Sequence, residues 1–209
     1  MSVIEFSEDE RRIIERLASL VEFREDASGG HIRRVADMVR RISLEIGLDP
    51  KVAETFAHAA MLHDIGKIGI PDSLILKPGP LDPREFERVK RHTRIGAALM
   101  AGSKCPVLQV AERVARFHHE RWNGSGYEGL CGVDIPLEAR ITAVADVFDA
   151  LISSRPYKDA WPIRTAMAEI DRLSGIDFDP RVVAAFLAVV TRGELMAVSL
   201  CEPVSRSVM

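Results

Sequence analysis

From Ile32 the apolar positions recur at Val35, Met38, Val39 and Ile42, and the stripe stops at Gly47. Steps of three and four residues put these side chains on one side of a helix, so the spacing predicts an amphipathic helix with a buried face. Ile13, Ile14, Leu17, Leu20 and Val21 form a second such stripe ahead of it. Alternating, strand-like stretches bounded by turn pairs are scarce, and the expectation is an all-α protein. Three more helices announce their starts with Asp-Pro, at Asp49-Pro50, Asp82-Pro83 and Asp179-Pro180. There the carboxylate caps free amides, and proline occupies a first-turn position where its missing N–H is no loss. Trp161-Pro162 predicts a fourth start by similar logic. Residues 65–81 and 123–136 are rich in glycine and proline and read as irregular; loops that long in a compact domain usually carry function. Residues 1–26 read as a preceding helix, and residues 193–209 as a loosely packed tail.

With 209 residues, 47% of them hydrophobic and 28% charged, the chain has enough apolar side chains for a substantial core. A formal net charge of only -3 supplies no global basic field, which argues against a nucleic-acid polymer or an anionic membrane as partner. Any phosphate ligand must therefore be held by local cations. Cys105, Cys131 and Cys201 are odd in number, far apart and without CxxC spacing, which fits a reduced cytoplasm. The acidic start, Glu5 to Glu10, is unlike a signal peptide, and the apolar run at residues 182–190 is too short for a membrane span. A cytoplasmic protein is expected.

The chemistry concentrates in the histidines. All six lie between residues 31 and 119, and five of them fall where helix ends or glycine-rich turns are expected, alongside Asp64 and Asp146. Imidazole nitrogen and carboxylate oxygen together suit borderline divalent ions such as iron, manganese, zinc or nickel, and a carboxylate can bridge two of them. Asp64, directly after His63, is the natural bridge. His118 and His119 would point about 100° apart on a regular helix, so both can serve one ion only near a helix terminus. The glycine-rich segment from Asn123 supplies that terminus. His58, within an apolar helical stretch, reads instead as a hydrogen-bonded core residue. Asp149, three residues after Asp146, shares its helical face and could orient a ligand, contact substrate or pair structurally. Trp122 and Tyr127 flank the glycine-rich loop and could wall a purine, with core packing equally open for Trp122. Cys131 reads as packing.

Three segments, "LHDIGKIGIPDSLILKPGPL" from Leu62, "HHERWNGSGYEGL" from His118 and "ARITAVADVFDALISSRPYKDAW" from Ala139, resemble the HD-GYP family of bacterial cyclic-di-GMP phosphodiesterases. The likeness runs from about Ser28 to Val190, which divides the chain into a helical extension (1–27), an HD-GYP domain (28–192) and a tail (193–209). It implies an HD-type core of five or more helices around a metal centre, with flanking helices. In it His31, His63, Asp64 and Asp146 would hold one ion, and Asp64, His92, His118 and His119 a second. Trinuclear members carry a glutamate four residues before the first ligand histidine; Ala27 stands there in this chain, so two ions are expected, iron or manganese foremost and zinc or nickel by the same donors. The implied reaction is hydrolysis of cyclic di-GMP to pGpG, and on to GMP, by a hydroxide shared between the ions, with Asp64 and Lys67 as catalytic residues. Lys67 would hold the scissile phosphate or help protonate the leaving group. Arg155 and Lys158 would bind phosphate and guanine, joined by Tyr127 and Asp149 as substrate contacts. A cyclic-dinucleotide or protein-binding signalling module, or a phosphohydrolase for another nucleotide, stays open beside this reading.

The name-giving loop departs from the family. Gly-Tyr-Pro, one residue, then Gly-Leu is the pattern, whereas this chain reads Gly126-Tyr127-Glu128-Gly129-Leu130. Proline fixes its own φ and restricts its predecessor, so its loss is expected to loosen or redirect Tyr127. Signalling partners that dock on this loop, and a homodimer formed through the first helix, are further expectations.

Overall fold

The structure, a computed structural model, describes residues 7–24, 30–154 and 159–193. Among these residues there are nine α-helices and no strand, beyond an isolated bridge between Ser174 and Phe178. The all-α expectation holds. Helices α1 (Glu8–Glu22), α2 (His31–Glu45) and α3 (Pro50–Ala60) are followed by a 3-10 turn (Ile65–Gly69) and the short α4 (Asp72–Ile75). Then come α5 (Pro83–Met100), α6 (Pro106–Phe117), a 3-10 turn (Gly132–Asp134), α7 (Leu137–Ile152), α8 (Ile163–Arg172) and α9 (Pro180–Thr191).

The three Asp-Pro starts are N-caps. Asp49, Asp82 and Asp179 accept from the amides of Lys51, Glu85 and Arg181, and Asp82 with Glu85 forms a reciprocal capping box. The start expected at Trp161-Pro162 lies one residue later: Pro162 is itself the cap residue and Ile163 the first helical one. Residues 65–81 are less irregular than their composition suggests, since the 3-10 turn and α4 fall inside them.

Two apolar clusters hold the fold. In the first, Val35, Met38, Val39 and Ile42 of α2 pack against Ile141, Val144 and Phe148 of α7, Ile170 of α8 and Phe186 and Val189 of α9. Phe148 and Phe186 meet edge to face with centroids 4.8 Å apart. The second joins Ile14 and Ala18 of α1, Ile32, Ala59 and Leu62 to Val107, Ala111 and Val114 of α6. Each such large side chain contributes on the order of 1.5–3 kcal/mol by leaving water. The C-terminal end of α3 belongs to both clusters, Ala60 to the first and Ala59 to the second. His63 follows three residues later, at the seam.

The stripe read on α1 is split. Ile14, Ala18 and Val21 are buried, whereas Ile13, Leu17 and Leu20 remain 55%, 44% and 68% exposed. The helix packs against α2, α3 and the first 3-10 turn, but on one side only. At its end Arg24 donates to the carbonyls of Lys67 (2.8 Å) and Ile70 (2.9 Å) and to Asp72 (3.1 Å), strapping α1 to the loop after His63-Asp64. Among the described residues no helix is long and apolar enough to cross a membrane.

Candidate metal centre

Five elements end at or cross the seam, and each brings a ligand. His31 opens α2, His63 and Asp64 lie in the turns after α3, Asp146 lies within α7, and His118 caps the end of α6 with His119 next to it. His92 is the exception to the expected placement near helix ends: it sits in the middle of α5, buried. All seven side chains assemble into two groups whose donor atoms lie within 4.8 Å of one another: Asp64, His92, His118 and His119 in one, His31, His63 and Asp146 in the other. Asp64 faces both. Its Oδ1 is 3.2 Å from His92 Nε2 and 3.8 Å from His118 Nε2, while its Oδ2 is 3.3 Å from His63 Nε2. His31 Nε2 and His63 Nε2 stand 3.5 and 3.8 Å from Asp146 Oδ1.

The outward nitrogens explain how the rings are held. His63 Nδ1 donates to the Ala60 carbonyl (2.8 Å), His92 Nδ1 to Val89 (2.7 Å) and His118 Nδ1 to Val114 (3.0 Å). A carbonyl can only accept, so each Nδ1 carries a proton and each Nε2 faces inward. His63 Nε2, His92 Nε2, His118 Nε2 and Asp64 Oδ1 are buried without a hydrogen-bond partner. Polar atoms buried facing one another without partners are costly unless a positive charge, proton or metal, sits among them, so this donor set fits divalent metal.

Burial pushes His118 well below the usual imidazole range and His119 down to about 4, so both are neutral at pH 7. For His63 burial opposes charge as well, but the carboxylates of Asp64 and Asp146 overcome it and raise the pKa to about 9. Asp64 is driven the other way: burial opposes its charge, yet the Lys67 ammonium and His63 hold its carboxyl well below the ordinary range. Lys67 Nζ lies 2.7 Å from Asp64 Oδ2.

Asp149, expected to touch substrate or to orient a ligand, is buried and turned onto His31. Its Oδ2 accepts from His31 Nδ1 at 2.7 Å, and Arg34 binds both oxygens, Nε to Oδ1 at 2.6 Å and Nη2 to Oδ2 at 3.0 Å. Of the three roles open to it, orienting a ligand and pairing structurally both match this geometry. The Tyr127 ring packs 4.7 Å from that of His119 and 5.9 Å from Phe86, with Lys90 Nζ 5.0 Å from its centroid. Trp122 is half-buried, its ring packs on Arg140, and its amide donates to the Asp177 carbonyl. His58 Nδ1 donates to the Glu54 carbonyl at 2.9 Å, as a core histidine should. Cys131 is exposed. Arg155 and Lys158, and Ala27, lie outside the described residues.

Sequence reasoning missed Arg34, Glu120 and Arg24. Arg34 carried a faint signal, one helical turn after His31. Glu120 is buried directly after His118-His119, and its carboxylate accepts the amides of Glu128 (2.6 Å) and Leu130 (2.7 Å). No local pattern announces that bond.

A family model described as HD domain matches residues 15–182. Among curated relatives, the cyclic di-GMP phosphodiesterase response regulator RpfG of Xanthomonas campestris pv. campestris is 45% identical over 201 residues, 96% of this chain and 52% of its own length. A cyclic di-GMP phosphodiesterase of Thermotoga maritima is 47% identical over 84% of this chain and 48% of its own, and the 3'3'-cGAMP-specific phosphodiesterase 2 of Vibrio cholerae 40% over 88% and 36%. The chain thus spans about half, or less, of the length of these relatives. Two solved structures share the fold: the cyclic GMP-AMP phosphodiesterase V-cGAP3 of V. cholerae (TM-score 0.66, 19% identity, 90% of this chain and 50% of that one) and Bd1817, an HDG"Y"P protein of Bdellovibrio bacteriovorus (0.64, 22%, 80% and 53%).

Proposed function

This chain belongs to the HD domain family, in the HD-GYP group that its motifs resemble, and we propose that it is a metal-dependent phosphodiesterase opening cyclic di-GMP to pGpG, with GMP as the product of a second hydrolysis. The observation that carries the reading is the set of four buried, unpartnered atoms, His63 Nε2, Asp64 Oδ1, His92 Nε2 and His118 Nε2, within two adjoining ligand groups. Relatives at 45% and 47% identity that bear the name cyclic di-GMP phosphodiesterase support the substrate.

We assign two ions, iron or manganese, with zinc and nickel compatible with the same donors. When bound they supply Lewis acidity toward a phosphoryl oxygen and water acidic enough to attack at neutral pH. His31, His63 and Asp146 would hold one ion and His92, His118 and His119 the other, with Asp64 facing both groups. Lys67 places an ammonium beside Asp64, where it steadies the scissile phosphate and donates a proton to the departing oxygen as water adds across the phosphodiester bond. Arg155 and Lys158 are assigned to phosphate and guanine, and Tyr127 to the face of a base. Asp149 acts through His31. We further assign the protein to the cytoplasm, loop 124–130 to signalling partners, and the exposed Ile13, Leu17, Leu20 and Phe23 of the first helix to a second copy of the chain.

The test is chromatography of cyclic di-GMP incubated with protein loaded anaerobically with iron or manganese, against an Asp64→Ala control. Time-dependent pGpG from the wild type and none from the control is the expected result. Binding without turnover under every metal sinks the enzyme reading. A second substrate deserves an arm, because one relative at 40% identity is named as cGAMP-specific. Faster opening of 3'3'-cGAMP would reassign the substrate while leaving the chemistry.

A further inference from the structure

We propose that Glu120 and Glu128 are positioning residues that fix Tyr127 against His119, a device that rests on the reading of Tyr127 as a substrate contact. Glu120 is 4% exposed despite its charge. A carboxylate so buried must have its oxygens taken, and both are taken by one loop: Oε1 by the Glu128 amide at 2.6 Å, Oε2 by the Leu130 amide at 2.7 Å. Ahead of Tyr127 the same loop lies against the backbone of His119 to Arg121, just past α6. A Cβ at residue 126 would stand 2.5 Å from Glu120 Cα and 2.7 Å from Arg121 N, so glycine is required there. Tyr127 is therefore pinned on both sides, by a backbone contact at Gly126 and a charged hydrogen bond at Glu128. That delivers its ring to 4.7 Å from His119.

Glu128 is held a second time through its side chain, which accepts from Arg94 Nε of α5 at 2.7 Å and lies 3.6 Å from Arg116 of α6. Arg94 is 70% exposed, so this outer pair is the weaker anchor and the buried Glu120 the stronger one. The amide of residue 128 matters more than its carboxylate. A proline there has no N–H to give Glu120, so this chain secures the loop with a bond that a proline-bearing loop cannot form.

The experiment is a double-mutant cycle on the metal-loaded full chain with cyclic di-GMP, together with hydrogen exchange of residues 123–131. Glu120→Gln should raise KM about tenfold, with kcat within about threefold and metal content unchanged. Glu128→Pro should give a smaller rise, and Glu128→Ala, which keeps the amide, about twofold. In a Tyr127→Ala background all three should add nothing, because they act through that ring. Equal KM effects with and without Tyr127 overturn the proposal. The exchange measurement needs no turnover: the Glu128 and Leu130 amides should be protected in the wild type and lose protection in Glu120→Gln. Equal exchange in the two proteins overturns the clamp, whereas absence of turnover in the wild type, with protection intact, counts against the substrate reading alone. If Glu120→Gln fails to fold, Glu128→Pro carries the same cycle and the same exchange comparison at Leu130.

Discussion

The two ligand groups are made of the same residue types yet are held by different means. In the group of Asp64, His92, His118 and His119, the rings of His92 and His118 are oriented by main-chain carbonyls one helical turn back, on α5 and α6. In the group of His31, His63 and Asp146, His31 depends on a side chain, Asp149, which depends in turn on Arg34. The protonation states differ as well: His118 and His119 are held neutral, while His63 is held charged. In one half His92 and His118 hang on the backbone, and His118 and His119 are already neutral; in the other His31 hangs on side chains, and His63, itself held by the Ala60 carbonyl, must first lose a proton. Substitution and pH should therefore move the second half far more than the first.

The largest effect tests what the halves share. Asp64→Ala should strip both ions and lower turnover by on the order of a thousandfold or more, read by elemental analysis beside product formation. One ion retained at full occupancy would show that the halves do not share this carboxylate. Next comes pH. In chelator-treated protein His63 is protonated up to about 9, so the affinity of the His31–His63–Asp146 group should climb about tenfold per pH unit from 7 to 9, whereas His118 and His119, already neutral, add no such dependence to the other group. Metal loading at pH 7 should release a proton from the His31–His63–Asp146 group, detectable as a buffer-dependent heat. The sign for folding follows. A pKa raised from 6.5 to about 9 stabilises the metal-free fold below pH 6.5, and this contribution is lost as pH rises through 9. A metal-free melting temperature unchanged from pH 6.5 to 9 would contradict the charged His63. Smaller again, Asp149→Asn should weaken the ion at His31 roughly 10–100-fold and leave the other ion in place. Smallest, Arg34→Met should cost that ion only about severalfold, because Asp149 still accepts from His31. Equal loss of both ions in either variant would erase the distinction between the halves.

How much of this could be read beforehand divides along similar lines. Asp49, Asp82 and Asp179 were legible because capping is local: a carboxylate reaches amides two or three residues on, and Asp-Pro records it. The α2 stripe was legible because four of its positions meet one core. The α1 stripe was not, since Ile13 and Ile14 are adjacent and only tertiary packing decides which of them is covered. Five of the seven candidate ligands, His63, Asp64, His118, His119 and Asp146, lie in the three motifs, and His31 and His92 were named from the wider resemblance; the structure brings all seven together. His92 was placed wrongly near a helix end, because nothing in its neighbours marks the middle of α5 as a site wall. The Asp149–His31 bond joins residues 118 positions apart, and the Glu120 clamp joins a helix end to loop amides; neither leaves a trace in local spacing. The missing proline was visible in the sequence, but the bond from the Glu128 amide to Glu120 was not.

Gly66 lies against α5 so closely that a Cβ there would overlap the His92 carbonyl and the Gly96 amide nitrogen. Main chain therefore rests on main chain between the loop that carries Asp64 and the helix that carries His92. The separation of those two ligands is gauged by peptide planes, which neither rotate nor thin out, and rotamer hopping nearby cannot change it. An ion seated between them would inherit a spacing as stiff as the backbone itself, and its dimensions could be altered only by moving a whole helix.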